Sequence, residues 1–294
     1  MNSADTQSET FQQYRKLLFS IAYRMLGSAS DAEDVVQEAF VRWLEADQAA
    51  VQSPRAYLTT IAVRLCIDQA RSARARHEVY VGPWLPEPLP TGSQPDLTAT
   101  AVLNESLSFA FLILLERLGP GERAVFLLRE VFGYDYNEIA PIVGKSAANC
   151  RQILHRAQQR LKEQQTRFTV SREQQERVTH QFLRASTGGD VQGLLALLAD
   201  DATFVGDGGG HVRTALRPVQ GADKVVRGML GALRWAPSGM DARIEEINGQ
   251  PAIVGYDDGQ PYGVLLLDLE GERVRHLYAV LNPDKLHWLA PPAR

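Results

Sequence analysis

Apolar residues recur every three or four positions between about residues 11 and 79, which is the spacing of helices with one buried face. Two helix-start signals divide this stretch. Ser30 and Glu33 predict a capping box, in which each side chain bonds the backbone amide of the other residue. Ser53 followed by Pro54 predicts the start of a third helix, with serine at the N-cap and proline at the first helical position. The pattern therefore indicates an all-helical first domain.

A second helical block extends from about residue 97 to residue 168. Its first helix, predicted from residue 98, stops at Gly119, and its second stops at Gly133, because glycine commonly follows the last turn of a helix. Asp135 is at the N-cap position of the next helix. The sequence Gly144–Ser146 then ends that helix and starts another. Four helices are therefore expected in this block.

A proline-rich segment, residues 82–95, separates the two helical blocks. Proline at this density prevents both helix and central strand, so the segment is expected to be extended and fairly stiff. Its prolines are Pro83, Pro86, Pro88, Pro90 and Pro95. The charged residues from here to residue 106 are all acidic: Glu87, Asp96 and Glu105. The segment is either an acidic strand that enters a positively lined channel of a partner or a simple solvated tether.

The last block, about residues 171–294, changes from helical to strand-like patterning. Two helices come first, and another is expected from Ala222 to Trp235. The candidate strands are Ala202–Val205, Val212–Val219, Arg243–Ile247, Ala252–Tyr256, Tyr262–Leu269 and Val274–Leu281. Asn-Gly, Asp-Gly and Glu-Gly pairs separate the last four strands, and such pairs favour hairpins. This pattern predicts an α+β domain with a curved antiparallel sheet.

The segment from Asp135 to Leu161 has the length and turn chemistry of a DNA-binding helix-turn-helix. Polar side chains on the outer face of its second helix can pair with base edges or neutralise phosphates, and the helix start at Ser146 can hold a phosphate. The candidate DNA-contacting residues are Lys145, Ser146, Asn149, Arg151, Gln152, His155 and Arg156. An antiparallel helix pair with a solvated polar face would give the same pattern, so both interpretations stay open.

Arginines also recur on one face of the third N-terminal helix. Arg64, Arg71 and Arg74 share that face, and Arg76 follows just beyond it. A basic helical stripe can follow a nucleic-acid backbone. Asp68 lies between the first two arginines and can pair with them, so a solvated charged face is the alternative.

Net charge modifies this DNA-binding hypothesis. The chain carries a formal charge of −4, whereas a free-standing duplex DNA binder is usually basic. Between residues 107 and 168, however, nine lysines and arginines stand against six acidic residues. This distribution fits a weak DNA binder that gains affinity from a larger partner.

Targeting and cysteine signals narrow the class of protein further. The N-terminus lacks the basic and apolar regions of a signal peptide, and no apolar run approaches the ~18 residues of a membrane span, so a cytoplasmic location without membrane contact is expected. Cys66 and Cys150 lie within helical patterns and are expected to be small buried residues. No metal site and no cofactor are predicted.

The first half of the chain resembles an extracytoplasmic-function (ECF) sigma factor of the sigma-70 family. The matching segments, in order, are Asp31–Leu44, Pro54–Arg71 and Tyr136–Leu161. The resemblance implies that the first docks on the clamp of the largest core RNA polymerase subunit, the second melts and reads the −10 element, and the third reads the −35 element of promoter DNA. The carboxylates implied for polymerase docking are Asp31, Glu33, Asp34 and Glu38. Arg64 is a departure, because many ECF sigma factors have asparagine there.

Three further motifs resemble the SigJ-like subgroup, in which the sigma regions are fused to a C-terminal SnoaL-like domain that is thought to modulate activity. The interdomain or regulatory residues that this implies are Trp84, Leu85, Pro86, Glu87 and Pro88, then Asp207, Gly208, Gly209 and Gly210, and finally Asn282, Pro283, Asp284, Lys285 and Leu286. The implied domains are sigma region 2 at 10–80, the linker at 81–97, sigma region 4 at 98–168 and the SnoaL-like cone at 171–294.

The C-terminal domain raises two alternatives to a sigma factor. One is a ligand-sensing helix-turn-helix regulator that binds duplex DNA without polymerase, and the other is a SnoaL-like cyclase or isomerase. Asp207, His211, His180 and Trp235 are conceivable pocket residues, and an unknown small ligand is possible there. Fold analogy alone does not carry function, so no catalytic residue is predicted. The Asp31–Leu44 helix distinguishes the sigma hypothesis, because neither alternative needs it.

Overall fold

The computed structural model describes residues 3–77, 80–91, 108–162 and 170–289. These residues divide into two compact units. The first unit contains both helical blocks, from residues 3–77 and 111–162. The second unit contains the C-terminal block together with residues 80–91 and 108–110. The described part of the proline-rich linker therefore belongs with the C-terminal domain.

The first unit is helical throughout, as the hydrophobic pattern predicts. Its helices are α1 (Ser3–Leu26), α2 (Ala29–Glu45), α3 (Pro54–His77), α4 (Phe109–Leu115), α5 (Pro120–Phe126), α6 (Tyr136–Val143) and α7 (Ala147–Lys162). The first two residues of α4 belong to the second unit. A π-helical turn, Leu127–Val131, continues α5. The part of the predicted second-block helix that precedes residue 108 lies outside the described residues. The predicted continuation of the last helix beyond residue 162 does so as well.

Most of the predicted helix caps are present, and one is corrected. The hydroxyl of Ser53 accepts a hydrogen bond from the Ala56 amide at 3.3 Å, and Asp135 forms the predicted capping box at the start of α6. The predicted box at Ser30 is wrong, because α2 begins earlier and Ser28 is its N-cap, accepting from the Asp31 amide at 3.0 Å. Two serines precede the same apolar face, and the local pattern does not distinguish between them.

Both cysteines lie in the core of the first unit, as expected. Cys66 and Cys150 are fully buried and unpaired. Burial raises the pKa of each thiol, so both stay protonated and behave as small apolar side chains. Within the described residues, no group of three or more His, Cys, Asp or Glu side chains is arranged to hold a metal ion.

The second unit is the predicted α+β domain. Its helices are α8 (Arg172–Thr187), α9 (Val191–Leu197) and α10 (Ala222–Leu233). Its strands are β1 (Leu198–Asp207), β2 (Val219–Gln220), β3 (Asp241–Ile247), β4 (Gln250–Asp257), β5 (Gln260–Glu270) and β6 (Arg273–Val280). They form one sheet in the order β2-β1-β6-β5-β4-β3. Every neighbouring pair is antiparallel, as predicted, except β1 and β6, which run parallel.

The predicted strand Val212–Val219 is mostly wrong. Only Val219 and Gln220 pair with β1. Gly208–Gly210 instead form a turn, with Gly209 and Gly210 at φ of 60° and 82°, and the amides of the next two residues donate back to the Gly208 carbonyl. Pro218, which has no amide to donate, further limits pairing before Val219.

The β3–β4 and β4–β5 hairpins turn as the sequence predicts. Asn248 and Gly249 both have positive φ, as do Asp258 and Gly259, which is the geometry of two-residue hairpin turns that match the twist of the strands. Helices α8–α10 cover one face of the sheet, and this core contains Phe182, Leu194, Val226 and Leu277. No described helix is long and apolar enough to cross a bilayer.

Candidate nucleic-acid interface and linker site

Helices α6 and α7 form the predicted helix-turn-helix. The turn residue Gly144 has a φ of +66°, and the Ser146 hydroxyl caps α7 by accepting from the Asn149 amide at 3.2 Å. The buried residues of the pair are Ile139, Ile142, Cys150, Ile153, Leu154, Ala157 and Leu161. The exposed candidates are Lys145, Ser146, Arg151, Gln152, His155 and Arg156. Polar side chains therefore cover the outer face of α7, as a groove-reading helix requires.

The predicted arginine stripe on α3 is not a uniform free surface. Arg64 donates to the Pro141 carbonyl at 2.8 Å and to the Ile142 carbonyl at 3.2 Å, both near the end of α6. Arg71 pairs with Asp68 at 3.5 Å, and both side chains are largely exposed. The side chains of Arg74 and Arg76 lie outside the described residues. Arg64, the residue that departs from the family pattern, thus contacts the helix-turn-helix backbone.

A second contact between the two helical blocks centres on Tyr134. Its hydroxyl is 2.9 Å from the Thr59 hydroxyl and accepts from Arg55 at 3.2 Å. The Arg55 guanidinium carbon lies 4.9 Å from the centre of the Tyr134 ring. Together with the Arg64 contacts, these bonds hold α3 against α6 and the turn before it. We call this packing of α3 on residues 134–142 the closed arrangement.

Buried arginines extend the same interface toward α1. Arg123 donates to the Met25 carbonyl at 2.6 Å and pairs with Glu116 at 2.6 Å. Arg24 lies 5.7 Å from the Phe132 ring centre, and burial lowers its pKa to about 10, so it is still charged at neutral pH. Hydrogen bonds and charge–ring contacts therefore form part of this interface, and water can replace the hydrogen bonds when it opens.

The outer face of α2 holds the carboxylates implied for polymerase docking, but they are not equally available. Asp31 accepts from Gln69 at 2.7 Å, and Glu33 pairs with Arg15 at 2.6 Å. Asp34 is exposed, and Glu38 pairs with Arg42 across one exposed helical turn. An exposed i,i+4 pair of this kind is weak and readily exchanged.

Two exposed apolar residues on α2 were missed by the sequence reasoning. Val41 and Leu44 are 50% and 43% exposed, whereas Trp43 is buried in the core. Val36 is also buried, and Phe40 packs on Phe11. The available signal was helical spacing, which places Asp34, Glu38, Val41 and Leu44 on one face of α2.

The three motifs that resemble the SigJ-like subgroup meet in the second unit, around Asp207. This side chain is fully buried and pairs at 2.7 Å with Lys285, which is 8% exposed. Asp207 also accepts from the Leu85 amide at 2.9 Å and from the Tyr80 hydroxyl at 2.6 Å. Lys285 donates to the Leu85 carbonyl at 2.5 Å. One buried ion pair thus binds both backbone polar groups of a linker residue.

Two aromatic side chains enclose that ion pair, Trp84 of the linker and Tyr80 immediately before it. The Lys285 ammonium lies 4.3 Å from the Trp84 ring centre and 5.1 Å from the Tyr80 ring centre. The Asn282 amide donates to the Tyr80 hydroxyl at 3.0 Å. Burial, and then the hydrogen bond to Asp207, raise the pKa of Tyr80, so this phenol stays a donor. Tyr80 was not among the predicted residues, because it precedes the motif that carries the resemblance.

The remaining linker residues follow the sheet edge. The Leu89 amide donates to the Asn248 side chain at 3.0 Å, and the Asn248 amide donates back to the Leu89 carbonyl at 2.8 Å. Pro90 forms an isolated bridge with Ile247. Residues 85–89, including Pro86, Glu87 and Pro88, are buried. The described part of the segment is extended, as predicted, but it lies against the domain rather than in solvent.

The glycines and the C-terminal motif shape this site in different ways. Gly209 approaches Asn282 so closely that an added Cβ would lie 2.3 Å from the Asn282 amide nitrogen, which explains the need for glycine. The Gly209 amide also donates to Asp207 at 3.1 Å. Pro283–Lys285 form a short 3₁₀ turn, capped by the Asn282 side chain, and this turn orients Lys285. Leu286 is buried.

The conceivable catalytic residues do not come together. Asp207 is enclosed by the linker, whereas His211 lies near Asp284 at 3.3 Å with both side chains exposed. Trp235 is 87% exposed, so its assignment to a pocket is wrong: it lies past the end of α10, beyond the last buried turn. His180 lines a separate cavity of about 380 Å³ with Arg172, Glu176 and Glu246 among its neighbours.

Comparison with known protein families gives a match for each of the two helical blocks. The sigma-70 region 2 family matches residues 10–76, and the sigma-70 region 4 family matches residues 109–161. The chain therefore belongs to the ECF RNA polymerase sigma factors of the sigma-70 family.

Within that family the chain is similar to the ECF RNA polymerase sigma factor SigJ of Mycobacterium tuberculosis, with 37% identity over 287 residues, 94% of this chain and 91% of the relative. It is 32% identical over 293 residues to the probable ECF sigma factor SigI of the same species, covering 97% of each. The crystal structure of M. tuberculosis SigJ matches with a TM-score of 0.75 and 32% identity over the full length of both chains.

Proposed function

We propose that this chain binds core RNA polymerase in the cytoplasm and directs it to promoter DNA, and that it performs no covalent chemistry. The observation that carries the proposal is the presence in one chain of a helix-turn-helix with a polar outer face and of a separate helix, α2, with an exposed acidic and apolar face. A regulator that binds duplex DNA alone needs only the first. The names of the similar proteins, all RNA polymerase sigma factors, support the same function.

The two helical blocks have different tasks in this proposal. α3, with Arg64 and Arg71, contacts the −10 element as a single strand, and bases unstacked there are held by pockets and stacking worth about 1–3 kcal/mol each. α7 reads the −35 element in the major groove through Gln152, His155 and Arg156. Lys145 and Ser146 contact phosphates at the start of that helix. Asn149 is half-buried beside the same turn.

The closed arrangement is the form of the chain before it binds a promoter. The −10 and −35 elements are about 25 base pairs apart, or about 85 Å along B-form DNA at about 3.4 Å per base pair. Arg64 of α3, however, lies 2.8 Å from the carbonyl of Pro141 in the helix-turn-helix. Because one helix cannot touch the other while each contacts its own element, α3 must separate from α6 on the promoter.

The C-terminal domain regulates the chain by holding its linker. Tyr80, Trp84 and Leu85 are bound by Asp207, Asn282 and Lys285. An acidic extended segment suits the positively lined RNA path of the polymerase, and it cannot enter that path while it is bound here. Release of the linker therefore favours initiation. A small ligand in the C-terminal domain stays a prediction.

Reconstituted transcription tests the proposed function. Core RNA polymerase, with and without the full chain, is used to select and then transcribe templates from a random-sequence library. We expect the full chain to enrich templates with two conserved blocks and to start transcripts at a fixed distance downstream. Transcription equal to that of core polymerase alone would contradict the proposal. Tight binding of the selected duplex by the chain without polymerase would indicate the duplex-binding regulator instead.

A further inference from the structure

Two arginines lie over the ring of Tyr136, the first residue of α6. The guanidinium carbon of Arg129 is 4.9 Å from the ring centre, and that of Arg151 is 5.0 Å away. Arg129 comes from the π-helical turn after α5, and Arg151 comes from the exposed face of α7. Tyr136 therefore joins three segments around the helix-turn-helix, although neither its own side chain nor Arg129 was a candidate for DNA contact.

The two arginines differ in whether a carboxylate neutralises their charge. Arg129 donates to the Asp135 carboxylate at 2.9 Å and to the Tyr134 carbonyl at 3.0 Å, so its charge is neutralised locally. Arg151 forms no ion pair with a carboxylate among the described residues. A guanidinium that rests on a ring keeps the N–H donors along its edges available. Arg151 thus retains both its charge and its donors for a ligand.

The direction of the Arg151 side chain indicates which part of DNA it meets. In a helix-turn-helix, the first helix crosses the sugar-phosphate backbone, while the second enters the major groove. Arg151 belongs to the second helix, α7, but its guanidinium lies against Tyr136 at the start of the first helix, α6. It is therefore held beside the element that faces phosphates rather than the element that faces base edges.

We propose that Tyr136 is a positioning residue that holds the Arg151 guanidinium ready for a backbone phosphate of duplex DNA; this inference rests on the proposed DNA-reading role of α6 and α7. An unrestrained arginine loses side-chain freedom when it binds phosphate. A stacked arginine has already lost that freedom, so its entropy cost on binding is smaller. Phosphate contacts fix the register of a helix-turn-helix on its site. Tyr136 thereby affects −35 recognition without touching DNA.

The test measures DNA binding by the full chain assembled with core polymerase. The probe is a duplex that the wild-type holoenzyme selects from a random-sequence library, and affinity is measured over a range of salt concentrations. Arg151→Ala is expected to reduce the slope of log affinity against log salt by about 0.9, the value for one phosphate contact. Tyr136→Ala is expected to weaken binding about 2- to 5-fold, the factor that an exposed cation–π contact provides.

A double-mutant comparison separates positioning from a general structural role. Tyr136→Ala is expected to have no further effect when Arg151 is already alanine, and Tyr136→Phe, which keeps the ring, is expected to restore wild-type affinity. Equal losses from Tyr136→Ala in both backgrounds, or no rescue by phenylalanine, would overturn the proposal. Either result would mean that Tyr136 only stabilises the fold.

A second variant keeps the test decisive if Tyr136→Ala does not fold. Arg151→Lys retains the charge but not the planar stack, so we expect about 2- to 5-fold weaker binding at an unchanged salt slope. Wild-type affinity for this variant would overturn the proposal. If the wild-type holoenzyme selects no duplex beyond those of core polymerase, the proposed function itself fails. If selection is normal but Tyr136 and Arg151 show no coupling, only the present inference fails.

Discussion

Lys285 is a cation placed almost entirely out of water beside the Asp207 carboxylate. Its remaining donors and its charge are satisfied by the linker, through the Leu85 carbonyl and the Trp84 ring. A buried ion pair is a poor source of net stability, but removing one partner is strongly destabilising because it leaves an uncompensated charge. The pair therefore makes linker binding specific: the site is complete only when residues 80–85 occupy it.

Replacing Lys285 with methionine should release the linker. The change keeps the side-chain length but removes the charge, and breaking a buried pair costs about 3–5 kcal/mol. We expect chymotrypsin to cleave after Trp84 at least about tenfold faster, which corresponds to about 1.4 kcal/mol, and promoter output in the reconstituted assay to rise. Lys224→Met, at an exposed lysine of α10, is the matched control. Unchanged cleavage at Trp84 would argue against the role of Lys285.

At the scale of single elements, α2 shows how one helix serves both the core and a surface. Its inner face, which includes Val36 and Trp43, is buried, while Val41 and Leu44 remain exposed beside Asp34 and Glu38. Docking surfaces commonly combine a few anchor residues near their centre, which supply much of the affinity, with a polar rim around them. Carboxylates alone would give an interaction that salt weakens readily.

Charge placed on the apolar part of the α2 surface should therefore weaken polymerase binding. Leu44→Asp is expected to lower the affinity of the full chain for core polymerase at least about tenfold, because an unpaired carboxylate would be buried at the interface. The melting temperature should change little, since Leu44 is exposed in the free chain. Val191→Asp, at an exposed valine of α9, serves as the control. Equal affinity of Leu44→Asp and wild type would remove α2 from the docking surface.

The whole molecule divides in a way that does not follow its sequence order. The two DNA-reading blocks share one unit, and the described part of the linker that connects them in the chain belongs to the other. The hydrogen bonds of the closed arrangement each contribute about 0.5–1.5 kcal/mol net. Binding to polymerase and DNA can supply that much free energy, so the arrangement can be stable in the free chain and still open on a promoter.

Fluorescence energy transfer between α3 and α7 tests this opening. Dyes are attached at Asp68→Cys and Lys162→Cys, both exposed positions, and the natural cysteines are buried and do not interfere. We expect high transfer in the free chain and low transfer in holoenzyme on a selected promoter, because the two elements are about 85 Å apart. High transfer that persists on promoter DNA capable of initiation would contradict the requirement for opening.

Local signals in the sequence determined the elements of this protein. Helical periodicity, the caps at Ser53 and Asp135, and the hairpin glycines act over a few residues, so they can be recognised without knowing the fold. The same kind of reasoning failed where local signals were ambiguous, as between Ser28 and Ser30. It also failed after Gly210, where only the last residue of a predicted strand, Val219, pairs with β1. The family resemblance identified the motif residues around Asp207 but not their contacts.

Tertiary structure alone decided what those residues contact. Tyr80 and Asp207 are 127 positions apart, and Arg64 and Pro141 are 77 positions apart. A polar side chain binds whichever donor or acceptor the packing brings near it, and no local sequence pattern encodes a partner so far away along the chain. The parallel pairing of β1 with β6 has the same origin. The sequence thus defined the modules, and packing decided that α3 holds the helix-turn-helix while the C-terminal domain holds the linker.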